Sequence, residues 1–130
     1  MLKNSNAFSG FSVDDLVQAR RFYQEILGLE VGDNPMGLIE LHIKNGKILI
    51  YPKTDHTPAS FTVLNFPVAN IDAVVDALAA KGVTFEQYTG AIATDERGIH
   101  NSPKEGLRIA WFKDPAGNIL SIIEEQPYQH

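Results

Sequence analysis

With 130 residues, 44% of them hydrophobic, the chain suffices for one compact domain or for two small halves that share a core, burying roughly two thirds of its unfolded surface. Its 16 Asp and Glu outweigh 11 Lys and Arg for a net charge of -5, scattered in both signs, so no basic patch recommends nucleic acid or an anionic membrane. The lack of cysteine excludes thiolate nucleophiles, zinc-thiolate sites and disulfides.

The first stretch, MLKNSNAFSGF, carries no apolar signal core, and no apolar run approaches the ~18 residues of a membrane span, so a cytoplasmic protein with no membrane partner is expected. Phe8 to Val13 reads as a short strand. The segment DDLVQARRFYQEILG then sets Leu16, Ala19, Phe22, Tyr23, Ile26 and Leu27 on one stripe, with Asp15 and Gln18 in capping spacing and Gly28 as the stop. An amphipathic helix is predicted, with Tyr23 in the core. The runs LEV, GLIELHI and KILIYPK read as three strands, the last two a hairpin across Asn45-Gly46. Thr54 to Ser60, with Pro58, reads as a linker.

The order then restarts. FTVLNFPV reads as a strand, and NIDAVVDALAAKG as a helix behind an Asn70 cap, its Ile71, Val74, Val75 and Leu78 at helical spacing. VTFEQY, LRIAWF and NILSIIEE follow as strands, with a long polar loop over residues 89–106 between the first two. Asp114-Pro115-Ala116-Gly117 has the chemistry of a tight turn into the last strand, where alternation puts Ile119, Ser121 and Ile123 on one face and Leu120, Ile122 and Glu124 on the other. Anchor residues repeat too: Val13-Asp14-Asp15-Leu16 matches Val68-Ala69-Asn70-Ile71, Gly28-Leu29-Glu30-Val31 matches Gly82-Val83-Thr84-Phe85, and GKILIY matches GNILSI. The expected fold is α+β: two βαβββ modules in tandem, forming an open, incomplete eight-stranded barrel around a cavity with both helices outside. Module one is taken as 7–53, the linker as 54–60 and module two as 61–125 of a single domain.

FSVDDLVQARRFYQEILGLEV and AWFKDPAGNILSI together resemble the opening and ending motifs of the vicinal oxygen chelate superfamily, which includes glyoxalases, bleomycin-resistance proteins and extradiol dioxygenases. The resemblance spans residues of about 7 to 125 and implies a homodimer. Enzymes of this family hold a divalent ion with His, Glu or Gln side chains, and the resemblance carries those positions to Phe8, Ile50, Val63 and Ser121, with Ile48 as the same-face neighbour of Ile50. Three are hydrocarbon and the fourth is a neutral hydroxyl, a set unable to hold a divalent ion against water. Neither a metal nor another cofactor is expected. The closer relatives by this reasoning are metal-free binders of bulky ligands, and the expected partner is a small organic molecule in a cavity lined by Phe8, Ser12, Ile50, Val63, Asn65, Ser121 and Trp111.

Other polar groups leave alternatives open. Glu40 and His42 share a strand face and suit a second metal site, an acid/base couple, or simply the solvent side of an edge whose Ile39, Leu41 and Ile43 point inward. In the 89–106 loop, Arg97 suits an anionic oxygen and His100 a ligand contact, unless the loop is only surface. Tyr51, Tyr88 and Trp111 suit stacking on a planar ligand or ordinary packing. His56 and His130 are expected to be solvated. Beside a binding protein stand two other classes: a lyase or isomerase using Glu40, His42 or His100, and a structural or regulatory dimer whose cavity is filled by its own side chains.

Overall fold

The structure is a computed structural model and describes residues 1–125. His130 lies outside the described residues. The chain divides into two compact units, Met1–Pro58 and Ala59–His130. Among the described residues no helix is long and apolar enough to cross a membrane.

The first unit contains β1 (Ser9–Val13), α1 (Leu16–Arg21), a π-helical turn (Phe22–Ile26), β2 (Glu30–Asp33), β3 (Ile39–Ile43) and β4 (Gly46–Pro52). The four strands form one sheet in the order β1-β4-β3-β2, with β1 parallel to β4 and the other pairs antiparallel. Asp15 opens the helix as expected, its carboxylate accepting from the backbone N–H groups of Val17 and Gln18. The predicted stripe, however, does not run through as one α-helix. After Arg21 the hydrogen bonding widens to a π turn, in which the consecutive Phe22 and Tyr23 are both buried, and Gly28 ends the element at φ 73°.

Register fixes which face this helical segment covers. Phe11, Ile50 and Ile39 lie side by side on three strands, as do Ile48 and Leu41 on two. All five are buried, and the Phe11 ring sits 6.2 Å from Tyr23. Each fully buried side chain of this size contributes about 1.5–3 kcal/mol, so apolar burial dominates the stability of this unit.

The second unit contains β5 (Thr62–Pro67), α2 (Ile71–Ala80), a 3-10 turn (Gly90–Ile92), β6 (Ile99–Ser102), β7 (Leu107–Lys113) and β8 (Ile119–Glu125). Its sheet repeats the order of the first, β5-β8-β7-β6, again with its outer pair β5 and β8 parallel. The α+β pattern of two βαβββ units is therefore present, but one strand is not where the sequence suggests. VTFEQY makes only an isolated bridge, Phe85 to Phe112, while the fourth strand, β6, comes from the segment read as loop. The physical reason is local: Ile99 fills the core, and the stretch before it is already tied down by its own hydrogen bonds.

Those bonds are numerous. Asp95 accepts from the N–H groups of Arg97 and Ile99, Thr94 Oγ accepts from Tyr88 N–H, and Gln87 donates to the Glu96 carbonyl. Gly98, at φ 86°, lies so close to Phe85 that a Cβ there would meet the Phe85 Cβ at 2.6 Å. Arg97 reaches from this loop to α2, donating to Asp72 at 2.7 Å and Asp76 at 2.6 Å. From β7, Arg108 donates to the other Asp72 oxygen at 2.8 Å, and Glu124 on β8 accepts from the N–H of Ile71 at the start of α2. The Arg108 and then the Arg97 guanidinium hold the Asp72 carboxyl at about 2, well below its ordinary value of 3.8.

The Asp114 to Asn118 turn is closed from within. Asp114 accepts from the N–H groups of Ala116 and Asn118 and from the Asn118 amide, both side chains being buried, and Gly117 takes φ 87°.

Candidate binding site

In the second unit α2 covers one face of the sheet and leaves the other to be lined by side chains of different character. The contact of Glu124 with the α2 backbone puts Leu120, Ile122 and Glu124 on the helix side of β8, so Ile119, Ser121 and Ile123 lie on the opposite face. Register extends this face across three strands, with Asn65, Ser121 and Trp111 in one row. Ser121 is fully buried, and its hydroxyl donates to Asn65 Oδ1 at 2.5 Å. Trp111 is half-buried. The Tyr88 ring meets it edge-on at 5.3 Å, and the His100 ring lies 6.2 Å away with a tilt of 33°. His100 shares this face because it pairs with Ile109, two residues before Trp111 on β7.

Of the residues singled out in the sequence, Asn65, Ser121, Trp111 and His100 thus come together with Tyr88. Val63 falls at a β-bulge, where the register between β5 and β8 shifts between Thr62 and Leu64. Arg97 is engaged elsewhere: the anionic oxygens it meets are those of Asp72 and Asp76 on the helix.

The face of the first sheet away from its helical segment is more polar. Gly10 lies beside Leu49 and Ser12 beside Tyr51, followed across the sheet by Glu40, His42 and Lys47 and then Gly32 and Glu30. β3 is an inner strand, not the expected edge, and the Glu40 side chain is only 17% exposed. Asn34 donates to Glu40 at 3.0 Å, His42 Nε2 lies 3.4 Å from its other oxygen, and the Lys47 ammonium stands at 3.8 Å. The Asn34 hydrogen bond first, then His42 and Lys47, keep the Glu40 carboxyl below its usual range. The His42 ring rests on Gly32, where a Cβ would come within 2.9 Å of it. Phe8, just outside β1 and half exposed, lies under the Lys47 ammonium at 4.8 Å and borders a surface hollow of about 620 Å³ with Asn45 and the 5–7 segment.

Two placements differ from the sequence reading. Ile50 is fully buried on the helix-covered face, next to Phe11. Leu49 stands beside Gly10 as Ser121 stands beside Asn65, and Gly10 and Asn65 are equivalent by the Val13 and Val68 anchors. The count slips by one because Gly46 already belongs to β4, whereas Gly117 is still in the turn before β8. His56, expected in solvent, lies with Nδ1 2.7 Å from the Ser12 hydroxyl, tying the linker back to β1. No local sequence signal joins residues so far apart.

At the positions to which the resemblance carries metal ligands, the side chains present do not fit a divalent ion. Phe8, Val63 and Ile50 have no donor atom, Leu49 in place of Ile50 adds none, and the Ser121 hydroxyl is engaged with Asn65. Among the described residues no group of three or more His, Cys, Asp or Glu side chains is placed to hold a metal.

A family model described as the glyoxalase/bleomycin resistance protein/dioxygenase superfamily matches residues 8–122. Solved structures with the same fold include a protein of Bacillus anthracis assigned to the glyoxalase family, with TM-score 0.74 and 21% identity over 95% of this chain and 96% of that one. A lactoylglutathione lyase from Agrobacterium tumefaciens gives 0.68 and 20%, over 94% and 95%. An antibiotic binding protein from Streptomyces sp. CB03234 gives 0.68 and 23%, over 95% and 98%. At these identities the likeness concerns the fold. No functionally curated protein matches the chain.

Proposed function

Because the chain belongs to the glyoxalase/bleomycin resistance protein/dioxygenase superfamily, we propose that it is a metal-free member that binds a planar small organic molecule on the face of the β5-β8-β7-β6 sheet away from α2. The observation that carries this reading is the row Asn65-Ser121-Trp111 with Tyr88 and His100 beside it. Trp111 supplies a broad apolar surface held edge-on by Tyr88, and aromatic pairing of this kind contributes about 0.5–1.5 kcal/mol beyond area burial. The exposed Asn65 amide, held from beneath by the buried Ser121 hydroxyl, adds a polar group that orients a ligand without charging the site. The hydrocarbon character of Phe8, Leu49 and Val63 supports binding without metal chemistry. The antibiotic binding protein of the same fold is a precedent for such a use. The assembly proposed is a cytoplasmic homodimer, which the exposed Val17, Met36 and Phe61 side chains favour by offering apolar surface.

Trp111 is the only tryptophan of the chain, so its fluorescence reports on this face alone. Titration with a panel of planar aromatic compounds is expected to give saturable quenching by at least one. The change Trp111→Ala, followed by calorimetry, is expected to weaken that compound about tenfold or more. A panel without saturable response, or undiminished affinity after the substitution, would overturn the reading. Elemental analysis showing stoichiometric metal, with a large fall in Tm on chelation, would remove its metal-free part, and sedimentation as a monomer its dimeric part.

A further inference from the structure

The loop before β6 fixes more than a backbone path. His100 Nδ1 lies 2.9 Å from the Ala93 carbonyl oxygen, which can only accept, so the proton of the neutral imidazole is on Nδ1. Nε2 then carries an in-plane lone pair, and among the described residues no hydrogen bond reaches it. Ala93 is itself anchored: its N–H donates to the Gly90 carbonyl, and the next residue, Thr94, donates to the Tyr88 carbonyl and accepts from the Tyr88 N–H. One short loop thus sets both the tautomer of His100 and the position of Tyr88, the two rings that flank Trp111. The imidazole is tilted 33° from the indole, so its lone pair runs closer to parallel than to perpendicular to a ring stacked on Trp111. That direction serves substituents on the edge of a stacked ring.

We infer that His100 is a specificity-determining acceptor, selecting planar aromatic ligands that carry an O–H or N–H donor over the same rings without one. The inference rests on the proposed binding face and deepens it by naming the ligand class. A site whose acceptor is left unpaired loses affinity, whereas a stacked ring lacking the donor still gains from burial.

The test compares a naphthol with its methyl ether by calorimetric titration near neutral pH. Native protein is expected to prefer the naphthol about tenfold. The variant His100→Asn keeps an amide donor for Ala93 and has nothing in place of Nε2. Its preference is expected to fall to within about twofold. Equal affinities in native protein, or a preference that survives in H100N, would overturn the inference while leaving the binding face standing. If neither compound binds native protein, the binding face falls and the inference with it. Long-range proton-nitrogen NMR of native protein gives a reading independent of the variant's folding: the Nδ1–H tautomer supports the inference, and the Nε2–H tautomer overturns it.

Discussion

The two units share a strand order but fasten their helices by different physics. α1 and its π turn are held chiefly by rings and hydrocarbon, with Tyr23 fully buried between Phe11 and Phe22 and an ion pair, Arg20 to Asp33, reaching β2. α2 contributes Ile71 and Val75 to the core and is otherwise strapped by Arg97, Arg108 and Glu124. Exposed ion pairs contribute ~0–1 kcal/mol each, against ~1.5–3 kcal/mol for a buried side chain, so the difference is one of strength as well as kind. The charged attachment reaches beyond the helix, because Arg97 belongs to the loop that positions Tyr88 and His100. Similar topology therefore carries a half fastened chiefly by apolar packing and a half whose helix, loop and binding face are electrostatically joined.

The sharpest way to break the contrast is Tyr23→Ala. Removing a fully buried aromatic is expected to cost about 3–5 kcal/mol in chemical denaturation, with the loss of hydrogen-exchange protection greatest in β1, β3 and β4. Gly98→Ala comes next. The φ of 86° alone costs about 1–2 kcal/mol, and the contact with Phe85 adds to it. Its signature should be a changed Trp111 emission, because Gly98 lies between the Tyr88 and His100 anchors. A minor loss with unaltered emission would show that the loop and the binding face are independent.

The smallest effect is the most selective. Asp72 has a folded pKa of about 2 against 3.8 unfolded, so its contribution is complete above the unfolded value and is lost as pH falls toward 2. Acid titration followed by amide exchange should loosen α2 and the Arg97 loop in that window, and Asp72→Asn should remove this part of the pH dependence. Equal acid response of α1 and α2 in native protein would contradict the contrast.

Most of this arrangement was legible in the sequence where periodicity and capping agreed. Asp15 and Gly28 bracketed the first helical segment and Asn70 marked the start of the second, and alternation placed Ser121 on the face away from the helix. β6 escaped notice because Ile-His-Asn-Ser is short and polar, with one core residue, while VTFEQY has strand chemistry but no continuous partner. The π turn left no trace in the apolar stripe, since Phe22 and Tyr23 fit either helix. At the candidate site, Trp111, Asn65 and Ser121 could be placed by strand register. The partners of Arg97 and His56 could not, because both contacts join residues distant in the chain.

The pairing of β5 with β8 also has a consequence for how the chain is born. Asn65 meets Ser121 across 56 positions, and β8 sits between β5 and β7 although it is made after both. During synthesis β5 and α2 emerge without the strand that should lie against them, while the first unit already has β4 to join β1. The first unit can close early. The second keeps an open strand edge until translation has passed β8, which makes that interval the period in which a nascent chain is most exposed to mispairing with a neighbour.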